Sequence, residues 1–104
     1  MIVVTSSSIA GKEITKTLGF VKGNTIRARH VGKDILAALK TIVGGEIEEY
    51  TKLIAEAREQ AMDRMKAEAE DMGANAIVDA RIATSYIMGN ASEVLAFGTA
   101  VVVE

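Results

Sequence analysis

The chain has no cysteine, no proline and no tryptophan, and only two tyrosines, two phenylalanines and one histidine among 104 residues. Without cysteine there are no disulfides, thiolate metal ligands, redox pairs or cysteine nucleophiles. Without proline, a low-complexity run or linker-like composition, nothing divides the sequence, so residues 1–104 read as a single domain with no internal repeat. A net charge of −2 lacks the cationic surplus that phosphate backbones require, so nucleic acid is not an expected partner. No stretch reaches the roughly 18 uninterrupted apolar residues of a membrane span, so no membrane partner is expected either. The start, Met1-Ile2-Val3-Val4-Thr5, lacks the basic and apolar regions of an export signal, and the expected location is the cytoplasm.

What is present is the balance of a soluble globular domain, with 49% hydrophobic and 25% charged residues. The charge is segregated. Residues 10–40 carry seven Lys and Arg against two acids, whereas residues 46–72 carry nine acids against four bases. Blocks of opposite sign in so small a domain suit complementary surfaces, within one subunit or between neighbours, better than an isolated anion site.

Residues 2–5 are β-branched and predict a short strand, broken by Ser6-Ser7-Ser8 and a turn at Gly11. Ile14, Leu18 and Phe20 alternate with Thr15, Thr17 and Val21, predicting a strand with Lys16 as the exception on its apolar face. Gly23-Asn24 reads as a turn or bulge. Alternation then resumes from Thr25 to Val31, with Ile26, Ala28 and His30 on one face and Arg27 and Arg29 on the other. Ile35, Leu36, Leu39, Ile42 and Val43 recur at helical spacing and predict a short helix near 33–42, ended by Gly44-Gly45.

A second, long helix is predicted from about Glu46 to Met72. Its apolar stripe runs through Ile47, Tyr50, Ile54, Ala57, Ala61, Met65, Ala69 and Met72, and Gly73 is its C-cap. Two strands follow, near 76–87 and 93–103, around a turn at Gly89-Asn90. The last strand, Val94 to Val103, is apolar on both faces and must be covered on both. The predicted helices cover one side, and another copy of the chain is the simplest cover for the other. The expected fold class is α+β, an antiparallel sheet packed against one long and one short helix.

Several short segments together resemble the YbjQ family: Gly11-Lys12, Leu18-Gly19, Lys33-Asp34-Ile35, Val43-Gly44-Gly45 with Tyr50, Glu56-Ala57-Arg58, Gly73-Ala74-Asn75-Ala76 and Gly98-Thr99-Ala100-Val101. Their order and spacing match across essentially the whole chain. The family comprises short microbial proteins without an established activity, often labelled for heavy-metal binding. The resemblance implies a fold related to the dodecin subunit and ring-shaped homo-oligomers, typically pentamers. The chain departs from the family where an acidic strand of the form Asp-x-Asp-Tyr-Glu is usual: here stands Arg81-Ile82-Ala83-Thr84-Ser85. Ala28-Arg29-His30 replaces a frequent Gly-Ala-Asn, Glu46 replaces an arginine, and Phe97 replaces a serine. A metal site built on the acidic strand does not carry over.

Few constellations bear chemistry. His30 and Asp34 are the one His/carboxylate pair close in sequence and could ligate a divalent cation, or be a strand-end histidine beside an unrelated first-turn aspartate. Ser6, Ser7 and Ser8 offer hydroxyls, but a nucleophile needs a positioned base, and a polar turn explains them as well. Glu46, Glu48, Glu49, Glu56 and Glu59 suit a solvated helix face, and Met62, Met65 and Met72 suit core filling. Gly44 and Gly45, ahead of a helix N-terminus, could expose backbone amides to an anionic ligand, without the Lys-Ser/Thr of a P-loop, or form a tight helix–helix turn. Flavin binding, which dodecins suggest, lacks a stacking tryptophan. The expectation is a non-enzymatic homo-oligomer, a pentamer by resemblance, that could serve as a small-ligand scaffold. No cofactor and no protein partner other than itself are expected. The alternative is a heavy-metal-binding protein, with a divalent or heavy-metal ion at His30 and Asp34.

Overall fold

The computed structural model describes residues 1–28, 48–88 and 91–104, with residues 27–28, 48–53, 86–88 and 91 described by their backbone. Four strands and a helix follow in the order β1 (Ile2–Val3), β2 (Ile14–Ala28), α1 (Glu48–Asp71), β3 (Ala76–Met88) and β4 (Ala91–Val103). The architecture is α+β, as the periodicities predict. The predicted short helix at 33–42, the Gly44-Gly45 turn and the Gly89-Asn90 turn lie outside the described residues.

The sheet has the order β1-β3-β4-β2, and it is mixed rather than wholly antiparallel. β3 and β2 flank β4 antiparallel, but β1 runs parallel to β3, with Ile2 opposite Ala76 and Val3 opposite Ile77. This pairing joins residues far apart in sequence, so the local pattern of residues 2–5 predicts the strand and not its direction.

α1 lies on one face of the sheet, where Val21, Ile77, Val94, Ala96 and Ala100 meet Ala57, Ala61, Met65 and Ala69 in one buried cluster. The helix end is built as expected from Gly73. This residue adopts φ 89°, its N–H reaches the Glu70 carbonyl at 2.9 Å, and the Ala74 N–H reaches the Ala69 carbonyl at 3.0 Å, the paired bonds of a Schellman cap. Part of the predicted stripe departs from the core: Ile54 is 43% exposed and Met72 39% exposed, so among the described side chains burial runs from Ala57 to Ala69, while Ile47 and the side chain of Tyr50 lie outside the described residues. The small side chains at 57, 61 and 69 explain why: the helix comes closest to the sheet around Ala61 and Met65, and Ile54 sits about two turns away along its axis.

Gly23 is not a turn. β2 continues through it, and its lack of a side chain is what lets the strand touch the helix: a Cβ there would run into the Ala61 carbonyl oxygen and the Met65 backbone nitrogen. The predicted alternation of Ile14, Leu18 and Phe20 on one face also breaks. Register irregularities at Ile14/Lys16 and Thr17/Gly19 re-aim the side chains, so Leu18 packs against the helix-side cluster while Ile14 packs on the opposite face. Lys16, between the two irregularities, is exposed.

The face of β4 away from the helix is covered only in part by the described residues. Val101 and Val103, with Ala76 and Val78, are buried under Val4, Ile9 and Ile14, so the N-terminal segment provides cover at that end without a second copy. Farther along β4, Leu95 and Phe97 are only half-buried.

Candidate functional site

The uncovered part of the outer sheet face is built by strand register. Arg81, Phe97 and Lys22 form one row across β3, β4 and β2, so the aromatic ring has a cation on each side. Ala83, Leu95 and Asn24 form the next row, and Ser85, Glu93 and Ile26 the one beyond. Phe20, opposite Thr99, sets its ring 6.2 Å from that of Phe97, in a tilted arrangement. Phe20 is 61% exposed and Ile26 56% exposed. The result is an apolar patch crossed by two positive charges. Its one carboxylate among the described residues, Glu93, accepts a hydrogen bond from the Asn24 amide at 3.1 Å.

A bulge in β3 fixes the edge of this patch. Between Val78 and Arg81 the register shifts, and Asp79 adopts φ 53°, a left-handed conformation unusual outside glycine. The bulge seats the N-terminal segment. The Asp79 N–H donates to the Ser6 carbonyl at 2.9 Å and the Ala80 N–H to the Val4 carbonyl at 3.0 Å. The Ser7 hydroxyl donates to Asp79 Oδ1 at 2.8 Å, and Arg81 Nη1 donates to the Thr5 carbonyl at 2.8 Å. The serines thus have a structural task. Ser6 Oγ donates to the Ser8 carbonyl at 2.7 Å, and Ser7 holds the strap to the bulge. Sequence reading missed Asp79, because only the contact across 72 residues reveals its role.

His30, Asp34, Gly44, Gly45 and Glu46, on which the metal and anion readings rest, lie outside the described residues. Of the helix acids, Glu56 and Glu59 are exposed and line, with Ala55, Gln60 and Asp63, an open depression on α1. Among the described residues no group of three or more His, Asp or Glu side chains is placed to hold a metal ion. Met65 is fully buried and Met62 packs against the core, in keeping with core filling. Among the described residues no helix is long and apolar enough to cross a membrane.

The family described as "Putative heavy-metal-binding" (YbjQ) matches residues 1–104. The chain belongs to the YbjQ (UPF0145) family. A UPF0145 protein of Dehalococcoides mccartyi is 62% identical over 104 residues, covering all of both chains. One from Methanosarcina acetivorans is 56% identical over 101 residues, 97% of this chain and 95% of the relative. The fold is also similar to the crystal structure of a protein of unknown function of the DUF74 family from Pediococcus pentosaceus. There the TM-score is 0.65 at 16% identity, over 100% of this chain and 98% of the other. Positions 81, 83 and 85, where this chain departs from the acidic strand of the YbjQ pattern, pair with Phe97, Leu95 and Glu93 and so share the outer face.

Proposed function

We propose that the chain is the subunit of a non-enzymatic homo-oligomeric scaffold that closes as a dodecin-like ring, with five subunits as the resemblance implies. The observation that carries this reading is an apolar patch on the outer sheet face, containing Phe20, Ile26, Leu95 and Phe97, the kind of surface that marks a partner contact. Ligand binding would then fall to grooves between subunits.

Light scattering tests the assembly. A mass near five times the 11.0 kDa subunit is the expected result, and 11.0 kDa at micromolar concentration would overturn it. Elemental analysis of the same sample tests the metal label of the family. No stoichiometric transition metal is expected on a strand where Arg81, Ala83 and Ser85 replace carboxylates; near one equivalent, lost on His30→Ala, would restore the metal reading.

A further inference from the structure

We infer that Arg64 caps the free edge of β2 and so keeps a strand of another copy from pairing there. The sheet order sets β2 at one margin, and among the described residues no strand lies beyond it. Which of its backbone groups face that margin follows from the alternation along β4. Glu104 exchanges both its N–H and its C=O with Glu13, on the β2 side. Val103 turns its own to the side-chain amide of Asn75, just before β3. The Val102 carbonyl accepts from the Thr15 hydroxyl and the Val101 carbonyl from the Asn75 N–H, so the alternation holds at each step. Odd-numbered residues of β4 therefore face β3. Leu95 is one of them, and its partner Asn24 belongs to a pair with no bond between its members, so the Asn24 N–H and C=O point out of the sheet. The same count turns out Phe20, Lys22, Ile26 and Ala28, opposite Thr99, Phe97, Glu93 and Ala91.

Such a row of unpaired groups is a template for a further strand. Arg64 interrupts the row at its middle, where its Nη1 donates to the Asn24 carbonyl. Gly23 makes the reach short. With no side chain there, the main chain of α1 rests on the strand and brings the Arg64 Cβ down beside it. A strand added along β2 would have to take the Asn24 carbonyl from a charged donor and displace an exposed guanidinium. Otherwise it could pair only with Phe20 and Lys22 on one side of Asn24, or with Ile26 and Ala28 on the other. The opposite margin of the sheet is closed by backbone. There β1 pairs with Ala76 and Ile77, and the N-terminal strap accepts the N–H groups of Asp79 and Ala80. The inference is independent of subunit number, because the free edge of β2 belongs to each copy.

Two variants test it. Arg64→Ala removes the donor with its whole stem, and Arg64→Met removes the donor while keeping a long stem. Each is expected to raise the mass seen by light scattering at least about twofold over the parent protein at equal concentration, and further as concentration rises. Circular dichroism should show the parent's fold in both. Amide hydrogen exchange locates the new contact: the outward N–H groups of Lys22, Asn24 and Ile26 should gain protection in the associated variants. Adding Asn24→Pro to Arg64→Ala should return the parent's mass, since proline there removes an outward N–H and no ladder bond. The parent's mass in either folded single variant would overturn the inference. So would association that leaves those three amides unprotected, or that persists with Asn24→Pro. Failure of both single variants to fold would make Arg64 a packing residue and overturn it as well.

Discussion

Gly23 lies directly against the backbone of Ala61, with no room between them for a single methyl group. The strand and helix are in contact at their main chains, so neither partner can yield by rotating a side chain. Gly23→Ala is therefore expected to push α1 off the sheet and cost at least about 2 kcal/mol. Urea denaturation followed by circular dichroism measures it. A midpoint unchanged from the parent protein would show that the close approach is absent.

Asp79 gives a different kind of test, because its backbone rather than its side chain is unusual. At φ 53°, a β-branched residue is strained, and Asp79→Val should cost roughly 1–3 kcal/mol. Asp79→Gly removes the strain while losing the exposed bond from Ser7, two effects of similar size and opposite sign, and should stay within about 1 kcal/mol of the parent. Thermal melts of the two variants side by side separate conformational strain from hydrogen bonding. Equal losses would show that the side chain matters more than the bulge.

The amide of Asn75 imitates a strand residue. Its Nδ2 donates to the Val103 carbonyl at 2.9 Å, and its Oδ1 accepts the Val103 N–H at 2.8 Å, which extends the ladder beyond the last paired residues. Asn75→Ala is expected to cost about 1–3 kcal/mol by leaving both groups of Val103 unpaired. Asn75→Asp should not rescue it at neutral pH, since a carboxylate has no proton to give the carbonyl. Amide hydrogen exchange at Val103 reads the N–H locally, and undiminished protection in Asn75→Ala would refute the pairing; Asn75→Asp still accepts that N–H, so its loss of the bond to the carbonyl is read from the melting midpoint instead.

Thr25 carries the opposite prediction. It is buried on the helix side of β2, and its hydroxyl has no hydrogen-bond partner among the described residues. Thr25→Val keeps the shape and removes the unpaired oxygen, so it should leave stability unchanged or raise it by up to about 1 kcal/mol. A loss greater than about 1 kcal/mol in a denaturation series would mean that the hydroxyl is satisfied in solution.

Features governed by neighbours in sequence were legible from the residues alone. The stop at Gly73 depends on a left-handed residue within one turn, and the double apolarity of Val94 to Val103 is visible in the strand itself. Gly23 was misjudged because a glycine within an alternating run serves equally a turn or a close approach, and only the helix, arriving from some forty residues later, distinguishes the two. Ser6-Ser7-Ser8 reads as a polar turn until Asp79 is seen beneath it. The outer patch was half legible: an uncovered face of β4 followed from its sequence, but the N-terminal strap that covers Val101 and Val103 did not. Phe20 keeps the face of Ile14 and Lys22, and it is Leu18, at the irregularity between Thr17 and Gly19, that turns to the helix side.

The long pairing of β2 with β4 sets the order in which the chain assembles. Ile14 lies opposite Val103 and Ala28 opposite Ala91, so these strands close a loop that contains α1 and β3. The cost of closing a loop grows with its length, which favours the β3–β4 hairpin and the helix just before it as the earlier events, with β2 docking last. Until then β4 has one unpaired edge along its whole length, on a segment rich in valine and alanine, and such an edge recruits other chains. Refolding yield should therefore fall as protein concentration rises, and a synthetic peptide of residues 14–28 supplied during refolding should recover part of it by occupying that edge first.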